Sequence, residues 1–414
     1  MTASSQFRIA RLAANPAVHR AFHWLHLHQP QLRRWQLELL RIPAPPFAEQ
    51  ARAAWFLERF QSLGLADPHL DAAGNALAEL PSSTPDTTQP LILLSAHLDT
   101  VFPVGTPTEP TEDDTRILAP GACDNAAGLT GLLAIAAALR HAELVPPVPI
   151  LFAANVGEEG EGDLRGMRHL FTDSPFASRI AAAIALEGAG SSAVVTRALA
   201  SRRFRVTITG PGGHAWADAG APNPILTLAR ALLALEALDL PHATPRTTLN
   251  IGQIAGGTAI NSIPASASAW LDLRSTESAQ LHAAEAALRH SLDQWVLHPP
   301  SRPAPSSPNP APTLAIELIG DRPGGQLPDD AALFTTLRAV DRHLSLRTEP
   351  GLGSTDANIP LSLGVPAIAL GAGGLGGGIH TLQEWYDPTG RSLALRRILL
   401  TLLDSAHLAA EHSV

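Results

Sequence analysis

Five side chains that can bind a metal ion stand at the ends of apolar runs or in glycine-rich turns of this sequence. The runs in "LILLSAHLDT", "LFAANVGEE" and "AIALEG" read as buried strands, and histidine or carboxylate residues follow each run at once. In an open α/β sheet the ligand site lies beyond the carboxyl ends of the strands, so these side chains are expected to meet. The residues are His97, Asp124, Glu159, Glu187 and His380.

Histidine together with several carboxylates is the ligand set of zinc or a similar divalent ion. One tetrahedral ion needs fewer ligands than this, whereas two ions that share a bridging carboxylate would use them all. Such an ion pair activates a water molecule and polarises the carbonyl group of the substrate. Asp99 stands two residues after His97 and is expected to accept the other imidazole N–H, which would fix the tautomer.

Two adjacent carboxylates, Glu158 and Glu159, stand where one of the apolar runs ends. Like charges this close raise each other's pKa, so the pair is costly unless a cation lies beside it. Taken singly, each site residue has a plainer explanation. Asp124 alone, for example, would be an ordinary helix N-cap. The recurrence of several ligand types at one predicted sheet edge outweighs those explanations.

The elements that must position these residues fall into two groups. Apolar runs starting at Leu91, Val148, Ala181 and Val365 alternate with helical segments, which predicts strands of a largely parallel sheet buried on both faces. Residues 203–320 instead alternate apolar and polar positions, as strands with one wet face do. Their order of strand, helix, strand, strand, helix, strand is the ferredoxin-like arrangement.

The chain of 414 residues is too long for one ordinary hydrophobic core. We expect a three-layer αβα catalytic domain with a largely parallel mixed sheet, formed by residues 1–200 and 322–414. A ferredoxin-like α+β domain, residues 201–321, is expected as an insertion into it. A helix is predicted from Pro45 to Gly64, before the first run of the sheet.

Composition narrows the classes of partner and chemistry. The net charge is −9 and the basic residues are scattered, so neither nucleic acid nor an acidic membrane surface is expected as a partner. The apolar runs are shorter than the roughly 20 residues of a membrane span, and no signal-peptide core is visible. The single cysteine, Cys123, agrees with a reducing, cytoplasmic location. No lysine occurs, which excludes P-loop and Schiff-base chemistry.

Several motifs resemble the aminoacylase and carboxypeptidase family of two-zinc metallohydrolases in their order and spacing. That family includes glutamate carboxypeptidase, peptidase T and succinyl-diaminopimelate desuccinylase. The resemblance runs from about Ile42 to Asp387, and "GGHAW" and "GSTDANIPLSLG" are most similar to peptidase-T-like members. The motifs are "SAHLDTV", "GACDNAAG", "VGEEGEGDLRG", "LEGAG", "GPGGHAW", "NSIPASA" and "GIHTLQEWYD".

The resemblance implies two divalent ions, first of all zinc, with cobalt and manganese as alternatives. His97 and Glu187 would hold one ion, Glu159 and His380 would hold the other, and Asp124 would bridge them. The fold of the family implies that the inserted domain is a lid through which two copies form a homodimer.

Further roles follow from the same resemblance. Glu158 would be the general base that takes a proton from the attacking water and passes it to the leaving amine. His214 would stabilise the oxyanion in a neighbouring subunit's site. Asn261 and Arg274 would contact the substrate, the arginine through a carboxylate. The Asp124–Asn125 peptide bond would be cis, which is rare without proline.

These observations predict a metallopeptidase or amidohydrolase that acts as an exopeptidase on short peptides. Glutamate at position 187 is usual in carboxypeptidases and N-acyl deacylases of the family, so an N-acyl-amino-acid deacylase is the second choice. A member that binds peptides without catalysis is the third, because a fold alone does not establish an activity.

Overall fold

The structure, a computed structural model, describes residues 3–83, 86, 88–242, 245–297 and 310–411. The chain forms two compact units. The first consists of Met1–Ala198 and Gly325–Val414, and the second of Leu199–Gly324. The sequence analysis places the corresponding boundaries after residues 200 and 321.

The helices of the described residues include one short helix beside the sheet and a long helix near the end of the chain. They are α1 (Ala3–Ala13), α2 (Pro16–Leu27), α3 (Gln29–Leu40), α4 (Gln50–Ser62), α5 (Ala126–His141), α6 (Arg165–Thr172), α7 (Pro224–Leu235), α8 (Ser278–Leu297), α9 (Ala332–His343), α10 (Asn358–Ser362) and α11 (Arg391–Glu411).

The strands range from two-residue pairs to ten-residue segments. They are β1 (Ala66–Leu70), β2 (Ala76–Leu80), β3 (Leu91–His97), β4 (Thr111–Asp113), β5 (Arg116–Leu118), β6 (Ile150–Asn155), β7 (Ile180–Leu186), β8 (Ala193–Ala198), β9 (Ala200–Thr209), β10 (Gly213–His214), β11 (Thr247–Gly256), β12 (Ser262–Ile263), β13 (Ser266–Ser275), β14 (Thr313–Arg322), β15 (Gly325–Gln326), β16 (Glu349–Gly353), β17 (Ala367–Leu370), β18 (Leu375–Gly377) and β19 (Trp385–Asp387).

The first unit contains a nine-stranded sheet in the order β1, β2, β6, β3, β7, β17, β8, β15, with β16 paired to β8. The four central strands β6, β3, β7 and β17 run parallel to one another. On either side of them, β2 pairs with β6 and β8 pairs with β17 in the antiparallel sense. Every residue of β3 and β6 is buried, as expected of strands covered on both faces. The predicted α/β fold with a largely parallel mixed sheet is confirmed.

The register of the parallel strands brings their carboxyl ends together. His97, the last residue of β3, lies opposite Asn155, the last residue of β6. On the other side of β3, Ser95 lies opposite Ala185, one residue before the end of β7. Residues that follow these strands therefore lie at one edge of the sheet.

The second unit has its own sheet and its own core. Its four strands are antiparallel and lie in the order β11, β13, β9, β14, with α7 following β9 and α8 following β13. This is the ferredoxin-like order of elements. A separate apolar cluster that includes Phe204, Leu232, Leu271 and Leu288 fills the space between this sheet and the two helices.

Two helix starts bear on the sequence analysis, one on a predicted helix and one on the plainer explanation of Asp124 as an N-cap. The helix predicted from Pro45 begins only at Gln50, because Phe47 has a positive φ of 70° that a helix cannot accommodate. The N-cap of α5 is Asn125 and not Asp124, since the Asn125 side chain accepts the N–H of Gly128. Among the described residues, no helix combines the length and the apolar character that crossing a membrane requires.

Candidate metal centre

The five predicted metal ligands come together at the carboxyl edge of the large sheet. His97 ends β3, Glu159 follows β6 and Glu187 follows β7 directly. Asp124 lies in the turn before α5, and His380 lies in the glycine-rich loop between β18 and β19. Buried strands thus position His97, Glu159 and Glu187, whereas Asp124 and His380 are carried by a turn and a loop.

Asp124 stands between two histidines and faces each with a different oxygen atom. Its Oδ1 lies 3.1 Å from Nε2 of His97, and its Oδ2 lies 3.0 Å from Nε2 of His380. His97 Nε2 is also 3.3 Å from Glu187 Oε1, and His380 Nε2 is 3.1 Å from Glu159 Oε1. Two ligand groups therefore share one carboxylate.

The spacing within each group suits a metal ion. Ligand atoms of His97, Asp124 and Glu187 lie within 4.8 Å of one another, and the same holds for Asp124, Glu159 and His380. Glu187 Oε2 is buried without a hydrogen-bond partner among the described residues. A buried carboxylate oxygen in that position is costly unless a cation lies beside it. The residues present therefore fit two divalent ions.

The proton affinities of the ligands support the same conclusion. Burial raises the pKa of Glu159 to about 8 and that of Glu187 to about 7. The hydrogen bond to Asp124 raises the pKa of His380 to about 9. Burial opposes ionisation of Asp124, yet hydrogen bonds from His380 and His97 hold its pKa well below the usual range. Without a cation the cluster keeps protons that a divalent ion would displace.

Glu158 lies beside the ligands and is almost fully buried. One carboxylate oxygen of Glu158 lies within 4.8 Å of ligand atoms of both His97 and Glu159. The two consecutive glutamates therefore both reach the centre, and Glu159 is the one whose Oε1 contacts His380.

Asp99 contacts His97 in a different way from the one expected. The imidazole Nδ1 lies 3.0 Å from the backbone oxygen of Asp99, whereas the carboxylate Oδ1 is 3.6 Å away and beyond hydrogen-bonding distance. The carboxylate instead accepts the backbone N–H groups of Glu158 and Glu159, at 3.0 and 2.7 Å. Asp99 thus contacts His97 and the backbone of Glu158 and Glu159 together.

The turn that carries Asp124 is fixed by its neighbour. The Asp124–Asn125 peptide bond is cis, as the resemblance implies. Asn125 donates its side-chain N–H to the backbone oxygen of Leu186 and accepts N–H groups from Gly128 and Gly188, at 2.8, 3.1 and 3.1 Å. A Cβ atom on Gly128 would lie 2.1 Å from Asn125 Oδ1, so only glycine fits this close approach. The start of α5 is thereby tied to the end of β7, which carries Glu187.

Two buried acids near the centre are not among the predicted site residues. Glu384 accepts the backbone N–H groups of Gly121, Cys123 and Asp124 at 3.0, 2.8 and 2.7 Å. In the sequence, Glu384 stands four residues after His380 within the motif "GIHTLQEWYD". Asp356 accepts a 2.8 Å hydrogen bond from the Asn155 side chain. Burial and the charge of Glu158 raise the pKa of Asp356 well above its usual value.

The remaining predicted site residues lie in the second unit. His214 is exposed in β10, where its Nδ1 faces the backbone N–H groups of Trp216 and Ala217 at 3.2 and 3.3 Å. The backbone oxygen of Asn261 accepts the N–H of Ala215, so Asn261 and His214 lie close together. Arg274 is paired with Asp272 on its own strand, at 2.8 Å.

The curated proteins that this chain matches first align with about half of it. A probable carboxypeptidase of Aspergillus clavatus is 34% identical over 206 residues, which cover 45% of this chain and 44% of that protein. The chain thus spans about half the length of the curated relatives it matches first.

Solved structures share the fold across nearly the whole chain. A tripeptidase of Staphylococcus aureus has a TM-score of 0.72 at 22% identity, and the match covers 91% of this chain and 98% of that one. A dinuclear metal-binding peptidase of Bacillus subtilis has a TM-score of 0.65 at 13% identity, with coverage of 91% and 98%. Residues 93–404 match the family described as Peptidase family M20/M25/M40. The chain therefore belongs to peptidase family M20/M25/M40.

Proposed function

We propose that this chain is a two-metal exopeptidase that hydrolyses short peptides. The observation that carries the proposal is Asp124, whose two oxygens face two different histidines, each of which contacts its own glutamate. His97, Asp124 and Glu187 would hold one ion, and Asp124, Glu159 and His380 would hold the other. When bound, such ions act as Lewis acids and make water a nucleophile at neutral pH. Zinc is the first choice, and cobalt or manganese suit the same oxygen and nitrogen donors.

Glu158 is the proposed general base. It takes a proton from the attacking water and later gives it to the leaving amine. Its carboxylate lies beside His97 and Glu159, and its backbone N–H is held by Asp99, so the side chain projects from a fixed point. Because Glu159 makes the contact with His380, the proton transfer falls to Glu158.

His214 is proposed to stabilise the oxyanion in the site of a partner subunit. Its Nδ1 faces two backbone N–H groups and therefore acts as an acceptor, which leaves the proton on Nε2. An Nε2–H group is the donor that a developing oxyanion needs.

A homodimer through the second unit, acting as the lid and dimerisation domain, is part of the same proposal. The strand β11 lies at the edge of its sheet and is exposed along most of its length, including Ile251 and Ile254. An exposed apolar edge strand is a template for pairing with another chain. Leu226 and Leu233 of α7 add further exposed apolar surface in this unit.

The substrate is proposed to be a short peptide that Asn261 and Arg274 help to bind. Arg274 is about one-third exposed in its side chain and already lies against Asp272, so a substrate carboxylate would share it with that residue. Glu187, which the family uses in carboxypeptidases and N-acyl deacylases, favours an N-acyl-amino-acid deacylase as the second function. The lone cysteine Cys123 is free and buried, which agrees with a cytoplasmic location.

Metal analysis together with a substrate panel tests the proposal. The panel compares tripeptides and dipeptides that have free amino termini with N-acylated amino acids, each at matched side chains. We expect two ions per chain and cleavage of the short peptides. Preferred cleavage of the N-acylated set would establish the deacylase instead. Two bound ions without turnover of any substrate would mean a peptide-binding protein that lacks catalysis.

A further inference from the structure

A glutamine of helix α3 contacts the loop that carries Asp124. Gln36 is fully buried, and its Nε2 donates to the backbone oxygen of Ala122 at 2.9 Å. Its Oε1 accepts from the Arg391 guanidinium at 3.2 Å. Both ends of the amide are therefore engaged, and one of them lies two residues from the shared carboxylate.

Glu384 contacts the same loop as an acceptor, whereas Gln36 contacts it as a donor. It accepts the N–H groups of Gly121, Cys123 and Asp124, while Gln36 donates to the carbonyl of Ala122 between them. The peptide group that joins Ala122 and Cys123 is thus held at both ends, its C=O by Gln36 and its N–H by Glu384. Because an unpaired buried peptide group is costly, the pattern restricts how the loop can turn.

Apolar packing joins α3 to the loop as well. A small cluster, separate from the main core, contains Leu40 at the end of α3, Ala122 of the loop, Ala126 and Ala127 of α5, and Tyr386. Leu37 packs against this cluster from the same helix. Arg391 contacts both this cluster and Gln36, because its guanidinium lies 6.0 Å from the centre of the Tyr386 ring and donates to Gln36 Oε1.

We propose that Gln36 is a positioning residue for Asp124, so that helix α3 forms part of the support of the metal centre. This inference rests on the proposed function, because it concerns the same ions. Helix α3 precedes residues 93–404, which match the peptidase family, and so lies outside the family match. Partners that hold metal ligands in place change metal affinity about 10–100-fold when they are lost.

Variants at two glutamines of α3 separate this role from general stability. Gln36→Glu is isosteric and still accepts from Arg391, but it cannot donate to the Ala122 carbonyl. Gln29→Leu is the matched control, since Gln29 Oε1 accepts from Arg391 Nε at 3.0 Å while its Nε2 donates to Leu25, away from the loop. Gln36→Leu, which removes both hydrogen bonds, replaces Gln36→Glu if that variant does not fold.

Two measurements are made on the full chain. Metal-free protein is titrated with Co²⁺, and its visible absorption reports the geometry of the bound ion. We expect wild type and Gln29→Leu to take up two ions alike, and Gln36→Glu to bind at least one of them about tenfold more weakly or more. Amide hydrogen exchange of Gly121, Cys123 and Asp124 in metal-free protein should be faster in Gln36→Glu and unchanged in Gln29→Leu.

The outcomes distinguish this inference from the proposed function. If wild type binds two ions and Gln36→Glu matches it in both affinity and exchange, the role of Gln36 is refuted and the two-metal function stands. If wild type binds no ion pair, the proposed function fails, and the positioning of Asp124 as a metal ligand fails with it.

Discussion

Replacement of Asp99 by asparagine tests how the two adjacent glutamates are held. Asp99 is fully buried, and its two oxygens accept the N–H groups of Glu158 and Glu159 at 3.0 and 2.7 Å. An asparagine side chain keeps one acceptor and directs an NH₂ group at the other backbone N–H. We expect Asp99→Asn to displace the backbone from which the proposed general base and one proposed metal ligand project.

The size of the effect follows from the hydrogen bond that the substitution removes. A buried hydrogen bond to a charged acceptor contributes roughly 1.5–3 kcal/mol, so the free energy of unfolding should fall by about that amount. The N–H group without its acceptor belongs to a proposed ligand or to its neighbour. Metal affinity should therefore fall about 10–100-fold, as it does when other supporting partners of ligands are removed.

Urea unfolding of the metal-free protein and calorimetric titration with Zn²⁺ measure the two effects separately. Asp71→Asn is the matched control, because Asp71 Oδ1 accepts the N–H groups of Ala73, Gly74 and Asn75 at 2.9 Å in a turn that holds no proposed ligand. It should lose stability and keep its metal affinity. If Asp99→Asn binds Zn²⁺ as tightly as Asp71→Asn does, Asp99 does not position the glutamates and the reasoning fails.

Three further predictions concern the proton, the ions and the assembly. Glu158→Gln should keep both ions and the fold while kcat falls roughly 10²–10⁴-fold; full activity in this variant would exclude Glu158 as the base. Metal binding should release protons and strengthen as the pH rises from about 6 to 9, because Glu159, Glu187 and His380 have raised pKa values of about 8, 7 and 9 and must lose protons to bind. Titration in two buffers of different ionisation enthalpy measures this release, and identical heats would contradict it. Ile254→Asp should produce a monomer by sedimentation velocity with activity lost and metal content kept; an unchanged dimer would remove β11 from the interface.

The main sheet was predictable because its strands obey a simple rule. A strand buried on both faces needs an almost continuous apolar run, and the central strands β3, β6 and β7 follow such runs. The edge of the sheet at which their polar residues meet follows from the parallel direction alone. The meeting of His97, Glu159 and Glu187 was therefore predicted from order and spacing, without any knowledge of side-chain contacts.

The supports of the centre were not predictable in the same way. Glu384 accepts backbone N–H groups about 260 positions earlier in the chain. Every residue type except proline carries such a group, so the sequence does not reveal which of them Glu384 contacts. Gln36 donates to the backbone oxygen of Ala122, so its role was equally invisible in the sequence. The helix predicted from Pro45 started too early, because nothing in the types of Pro45 to Glu49 reveals the positive φ of Phe47.

Because Glu158 and Glu159 are adjacent, the position of one short backbone segment determines where both side chains lie. Glu159 has the extended conformation, with φ −85° and ψ 145°. Both carboxylates reach the centre: Glu159 contacts His380, and Glu158 lies beside His97 and Glu159, where it is proposed to move a proton. Since Asp99 anchors both N–H groups, a change at Asp99 should affect metal binding and catalysis together. A change at Glu158 should affect catalysis alone.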